Sequence, residues 1–170
     1  MTDKLILMVG CPGSGKSTWI EKQIPRIEED GKTTVVVSRD YIRKSMVGDT
    51  NDESIYFSRE KEVFEEFVRQ INEAMEIGID TVFVDATHIS VGSRRKILTR
   101  LIPDPQTKLA IAVMDTPAEV CKERNAQRTG FAHVPDKGMS NMIKGYKKPD
   151  FSEFPDNSYG FKEIYIVDVK

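Results

Sequence analysis

The sequence is poor in the residues that build metal and disulfide scaffolds: of 170 residues, two are cysteine and two are histidine. Cys11 and Cys121 lie far apart in the chain with no CxxC pair, which excludes a disulfide framework and a zinc module and fits a reducing compartment. The two histidines cannot complete a metal site in their place. Long apolar runs are missing too. The stretch MTDKLILMVGCPGSGK holds too short an apolar run for a signal peptide, and no later run approaches membrane-spanning length. Neither sign of charge dominates. The 25 Lys plus Arg against 27 Asp plus Glu leave a net charge of −2, so composition shows no nucleic-acid coat, and any such contact needs a local patch. No repeat, low-complexity tract or linker divides the chain. The expectation is one domain over 1–170, cytoplasmic, with no membrane and no obligate protein partner.

What is present alternates. Short apolar runs at 5–9, 34–37, 81–84, 109–114 and 163–167 read as buried strands, the first ending in glycine. Helical spacing fills the stretches at 17–29, 58–77, 91–101, 117–128 and 140–146. In the second of these, Val63, Phe64, Phe67, Val68, Ile71 and Met75 share one side. Strands alternating with helices imply right-handed crossovers, and so a three-layer α/β sandwich around a parallel sheet of about five strands. The segment 147–160, KKPDFSEFPDNSYG, reads as a long surface loop with no chemistry of its own.

Residues Gly10, Cys11, Pro12, Gly13, Ser14, Gly15, Lys16 and Ser17 satisfy GxxxxGK[ST] between an expected strand and an expected helix, with Thr18 continuing the helix start. Small residues let consecutive N–H groups turn inward around a phosphate, and the helix N-terminus adds its positive end. Lys16 then bridges the β and γ phosphates and the Ser17 hydroxyl ligates Mg²⁺, so the expected ligand is ATP or another nucleoside triphosphate. The pattern is not the dinucleotide one, because GxGxxG cannot be laid on Gly13, Gly15 and Thr18. A guanine-reading [NT]KxD is missing, and the short chain leaves little room for a motor ATPase, so elimination favours a small phosphotransferase.

After the second strand comes Ser38-Arg39-Asp40-Tyr41-Ile42-Arg43. Strand carboxyl ends face the ligand crevice in an open parallel sheet, so Asp40 belongs on the same rim as the glycine-rich loop. There it can take the proton of an attacking hydroxyl, and Arg43 can hold an anionic acceptor beside it. An equally open reading makes Asp40 the N-cap of the next helix. Asp85 ends the third strand, where a second acidic group near Mg²⁺ belongs. Two basic clusters, Arg94, Arg95, Lys96 and Arg100, then Lys122, Arg124 and Arg128, read first as solvated helix faces. Arg124 and Arg128 stand at i and i+4, so both can close on a triphosphate, with Gly130 as a hinge and water excluded beneath.

Four blocks carry a resemblance: GCPGSGKSTW at 10–19, RDYIR at 39–43, VDATH with a following RR at 84–95, and RNAQRTG followed by VP at 124–135. In order and separation they resemble the 5′-hydroxyl polynucleotide kinases, in particular the kinase domain of the bifunctional phage enzymes. The resemblance implies a P-loop kinase fold with a helical lid over about 124–148 and transfer of a γ-phosphate to the 5′-OH end of DNA or RNA. It implies that Asp40 is the general base, that Arg43 binds the phosphate beside the acceptor nucleotide, and that Arg128 reaches the transferring phosphate. Asp85 matches the family's DATN or DTN aspartate, with His88 in place of the asparagine and read as a polar rim residue without a catalytic role. The location implied is cytoplasmic, the host's cytoplasm for a phage gene. No DxDGT follows, so the expected activity is phosphorylation of 5′ ends without repair of 3′ ends. Two other readings stand beside it: a P-loop kinase for a small hydroxylated metabolite, nucleoside or aminoacyl-tRNA, and an ATP-dependent switch that has no need of an Asp40 and Arg43 pair.

Overall fold

The structure is a computed structural model that describes residues 1–50, 52–155 and 158–170. Five strands, β1 (Lys4–Val9), β2 (Thr34–Ser38), β3 (Thr81–Asp85), β4 (Lys108–Met114) and β5 (Glu163–Val169), form one parallel sheet in the order β2-β3-β1-β4-β5. The chain runs outward from β1 to one edge first and to the other afterwards, so the strand order reverses at β1. That reversal opens a crevice at the carboxyl ends of β1 and β3.

The period-two alternation of β1 sorts the core into two layers. Leu5, Leu7 and Val9 face one side, with Val82, Val84, Leu109, Ile111 and Val113. That side is covered by helix α4 (Glu60–Glu76) through Val63, Phe64, Phe67, Val68, Ile71 and Met75, the stripe expected from the sequence, and by Ile42, Ile97 and Leu98 from helices α2 (Arg39–Val47) and α5 (Val91–Leu98). Ile6, Met8, Phe83, Ala110 and Ala112 face the other side, under Trp19, Ile20 and Ile24 of helix α1 (Lys16–Glu28). The three expected layers are these, although helix boundaries move by a few residues. A four-residue helix α3 (Glu53–Tyr56) was not legible, being too short for any period to show. Helices α6 (Ala118–Ala126) and α7 (Asp136–Gly145) flank a 3₁₀ turn at Gly130–Ala132. Among the described residues, no helix is long and apolar enough to cross a membrane.

Two sequence expectations are corrected beneath the sheet. Arg94, read as part of a solvated face, is fully buried: its Nε and NH2 donate to Glu153 at 2.8 and 2.6 Å, and its NH1 donates to the His88 carbonyl at 2.8 Å. One charged residue in a helix with an apolar flank has no sequence mark that separates burial from exposure; its partner lies in the 147–160 loop, which is thereby a packed connection. Of that loop, 156–157 lie outside the described residues; the rest turns through two 3₁₀ segments, Phe151–Glu153 and Ser158–Gly160. His88 is likewise no rim residue. It is buried at φ 41°, stacked on Phe67 with ring centroids 6.1 Å apart, and its Nδ1 lies 2.9 Å from the Met8 carbonyl. A carbonyl only accepts, so Nδ1 carries a proton, and burial keeps the ring neutral. Burial is the main cause that pushes its pKa down to about 3, with Arg39, Lys16 and Arg94 adding to it.

These contacts yield two expectations. Arg94→Met strands the Glu153 carboxylate in the interior and costs about 3–5 kcal/mol in chemical denaturation, whereas pairing it with Glu153→Met recovers most of the loss. A double variant as unstable as the single one would refute the ion-pair account. The unfolded His88 imidazole takes up a proton from about pH 6.5 downward, while the folded one does not until about 3. Its stability contribution is therefore whole above pH 6.5 and lost at about 1.4 kcal/mol per pH unit as pH falls toward 3. His88→Asn tolerates the positive φ and removes that slope, so urea midpoints of the two proteins converge between pH 7 and 4; parallel curves would contradict it.

Candidate active site

β1 ends at Val9, and the backbone turns at once. Gly10 donates to the Thr87 carbonyl at 2.9 Å, tying the loop to the residues that follow β3. Gly13 has φ 81°, and a Cβ there would stand 2.7 Å from the Cys121 carbonyl, so both conformation and space demand glycine. The Lys16 ammonium folds back on its own loop, donating to the Gly10 and Cys11 carbonyls at 2.9 and 3.0 Å. Desolvation lowers its pKa, opposed by the charges of Asp85 and Asp40. The first N–H groups of α1 have no intrahelical acceptor and open on the same concavity, which suits an anion.

Around Lys16 a small cleft gathers most of the residues singled out from the sequence. Pro12, Gly13, Gly15, Ser17 and Thr18 line it on one side, Asp40, Asp85, Ala86 and Thr87 on another, and Arg128 on the third. A second cleft of about 470 Å³ adjoins it, sharing Gly13, Gly15, Thr18 and Arg128 and adding Ser14, Trp19, Thr116 and Arg124. Arg124 NH1 donates to the Gly13 carbonyl at 3.0 Å, and the Thr116 hydroxyl donates to the Ser14 carbonyl at 2.8 Å. Gly10 and Cys11 line neither cleft; they supply the carbonyls that hold Lys16.

The N-cap reading of Asp40 is settled by its neighbour. Ser38 caps α2, its side chain accepting from the Tyr41 N–H at 3.4 Å, so the Asp40 carboxylate is free of that task and is 64 % exposed. Arg43 is placed differently from the open anion clamp the sequence suggested. It is buried, its NH1 donates to Asp40, its Nε donates to Glu60 at 2.6 Å, and its guanidinium lies 5.0 Å from the Tyr56 ring. Burial works against its charge, but Glu60 and Asp40 outweigh it and the pKa stands above the ordinary value. Arg39 reaches the same Glu60 at 2.9 Å. Glu60 is the residue that sequence reading missed: it begins α4, well separated from Asp40 in the chain, and no local pattern marks it.

Asp85 is the carboxylate at the end of β3, in register with Ser38. Burial raises its pKa, and the Lys16 charge opposes that rise. Ser17 and Asp85 offer hard oxygen donors in the same cleft as Lys16, the donor chemistry of Mg²⁺, which takes one or two protein ligands and completes its shell with phosphate and water. Among the described residues no three His, Cys, Asp or Glu side chains gather into a metal cage, so an ion here depends on those outside ligands. Cys11 and Cys121, distant in sequence, share a small apolar cluster with Val134 and Met139, and burial raises both thiol pKa values.

Known proteins repeat this architecture. The L-seryl-tRNA(Sec) kinase of Methanococcus maripaludis is 25 % identical over 150 residues, which span 85 % of this chain and 53 % of that one. The chain thus covers about half the length of that relative. A chain in the structure of a Pnkp1/Rnl/Hen1 complex is 27 % identical, with a TM-score of 0.56 over 75 % of this chain and 41 % of that one. Chaetomium thermophilum Kti12, solved with ADP-AlF3, is 16 % identical and superposes with a TM-score of 0.64 over 96 % of this chain and 88 % of its own, which shows the shared P-loop kinase fold. Residues 5–149 match the family described as AAA domain, and the chain belongs to that family.

Proposed function

We propose that the chain is an Mg²⁺-dependent kinase that transfers the γ-phosphate of ATP, or of another nucleoside triphosphate, to the 5′-OH end of a nucleic acid. The observation that carries this reading is the placement of an exposed carboxylate, Asp40, in one small cleft with Lys16, Ser17, Asp85 and Arg128. The likeness to a chain of the Pnkp1/Rnl/Hen1 complex, an RNA repair complex, supports a nucleic-acid acceptor. So does the series of four sequence blocks.

In this mechanism Asp40 accepts the proton of the attacking hydroxyl as its oxygen bonds to the γ-phosphorus and the bond to the β-phosphate oxygen breaks. Lys16 and Arg128 meet the charge that collects on the transferring group, and Arg124 holds the loop at Gly13 beneath it. Ser17 and Asp85 would hold Mg²⁺, which would supply charge neutralisation to the triphosphate. Arg43 serves the acceptor side: an acceptor phosphate takes the place of Asp40 on NH1, while Glu60 keeps the guanidinium anchored through Nε. A second reading, transfer to the hydroxyl of an aminoacylated tRNA, is favoured by the identity to the L-seryl-tRNA(Sec) kinase and uses the same Asp40.

Asp40→Asn is expected to lower transfer to a 5′-OH oligonucleotide by at least about 10²-fold, the usual range of general-base losses. ATP affinity, read from the fluorescence of Trp19 in the adjoining cleft, stays within about threefold because Asp40 touches the acceptor and not the nucleotide. Transfer at the wild-type rate would remove Asp40 from the base role.

A further inference from the structure

Arg128 is the one lining group of the phosphate cleft that comes from the part of the chain beyond β4. It follows α6 and leads into the 3₁₀ turn Gly130–Ala132, so something outside the cleft must fix its position. Its only side-chain hydrogen bond among the described residues is a long one, NH1 to the Ala132 carbonyl at 3.4 Å, at the end of that same turn. Whatever holds the turn holds Arg128.

On the α6 side the Arg128 N–H donates to the Asn125 carbonyl at 3.1 Å, and the Asn125 side chain pairs with the Val134 backbone at 2.9 and 3.0 Å; three further contacts reach the turn itself from the acceptor side of the molecule. Asp49, just beyond α2, accepts the Phe131 N–H on its Oδ1 at 2.7 Å. Gly130 has φ 55°, and a Cβ there would lie 3.2 Å from the same oxygen, so the carboxylate sits against a backbone that only glycine leaves open. The Phe131 ring stacks on Tyr56 with centroids 5.7 Å apart and planes 25° from parallel, with the Lys44 ammonium 5.8 Å from its centre. Tyr56 is in turn the ring under Arg43, the partner of Asp40. Gly130 therefore marks a docking point and not a free hinge. A continuous chain of contacts runs from the Asp40 carboxylate through Arg43, Tyr56 and Phe131 to the turn that carries Arg128.

We propose that Asp49 and Phe131 are positioning residues that clasp the Gly130–Ala132 turn to the acceptor-side helices and so keep Arg128 over the phosphate cleft. The inference rests on the reading of Arg128 as the group that meets the transferring phosphate. It goes beyond that reading in making acceptor-side packing a condition for donor-side charge stabilisation. An Asp49 carboxamide keeps the accepting oxygen, whereas alanine removes it, which separates the hydrogen bond from the charge.

The test compares Asp49→Ala, Asp49→Asn and Arg128→Ala in steady-state transfer from ATP to a 5′-OH oligonucleotide, together with amide hydrogen exchange across 128–132. The expected result for Asp49→Ala is a kcat at least tenfold lower, an ATP KM within threefold, and exchange at the Phe131 amide at least tenfold faster. Asp49→Asn restores both readouts to within threefold of wild type, and Asp49→Ala combined with Arg128→Ala is no slower than Arg128→Ala alone. Unchanged kcat in Asp49→Ala, multiplicative losses in the double variant, or an Asp49→Asn as impaired as Asp49→Ala would overturn the clasp. Phe131→Ala, read by exchange at 128–130 on protein that retains its native circular dichroism, provides an independent arm and should accelerate as Asp49→Ala does. Should the wild-type chain transfer nothing to 5′-OH ends, the proposed function fails. The clasp is then judged on exchange alone: faster exchange in Asp49→Ala but not in Asp49→Asn sustains it, and equal protection in all three proteins refutes it.

Discussion

Strand β1 is hydrogen-bonded along both edges and packed on both faces, and the positions of the functional groups follow from where it stops. A strand so enclosed cannot shift register without turning every side chain to the wrong layer. Gly10 is thereby fixed, and with it the loop that wraps Lys16. Because β3 pairs beside β1 and β2 beside β3, the residues at or just past their ends arrive at the same rim: Asp85 from one, Asp40 from the other. Two carboxylates far apart in sequence thereby meet the ammonium and the phosphate-sized concavity of a single loop.

The price of this convergence is buried charge. Arg43, Arg39 and Glu60 share one half-buried network between α2 and α4, and Arg94 with Glu153 forms another. Neither network is strong evidence for stability as such, since isolated buried pairs return little beyond their desolvation cost. Their value lies in direction: planar guanidinium groups held at two or three nitrogens fix what they touch. Arg43 orients the Asp40 carboxylate, and Arg94 fixes the His88 carbonyl in the segment that follows Asp85.

The architecture was legible because its signals are local. Five apolar runs, the stripe on α4 and the GxxxxGKS loop each depend on neighbours within one element, and each stands where the sequence placed it. The cleft was legible for a related reason, since strand ends in a parallel sheet share a rim and Asp40 and Asp85 each follow a strand end. What the sequence did not disclose depends on partners far along the chain. Arg94 looked solvated because Glu153 was unplaced, Arg43 looked free because Glu60 was unplaced, and His88 looked like a rim residue because nothing local tells of the Met8 carbonyl and the Phe67 ring. The N-cap reading of Asp40 fell away only once Ser38 was seen to cap α2.

The central claim is that this cleft delivers a γ-phosphate to a 5′-hydroxyl at a nucleic-acid end. The most direct measurement incubates the wild-type chain with γ-labelled ATP and Mg²⁺ in the presence of four acceptors in parallel: a 5′-OH oligoribonucleotide, a 5′-OH oligodeoxyribonucleotide, the same ribonucleotide already phosphorylated at its 5′ end, and a serylated tRNA. The account predicts label on one or both 5′-OH oligonucleotides and none on the blocked end. Label on the serylated tRNA alone, or on no acceptor at all, would contradict it.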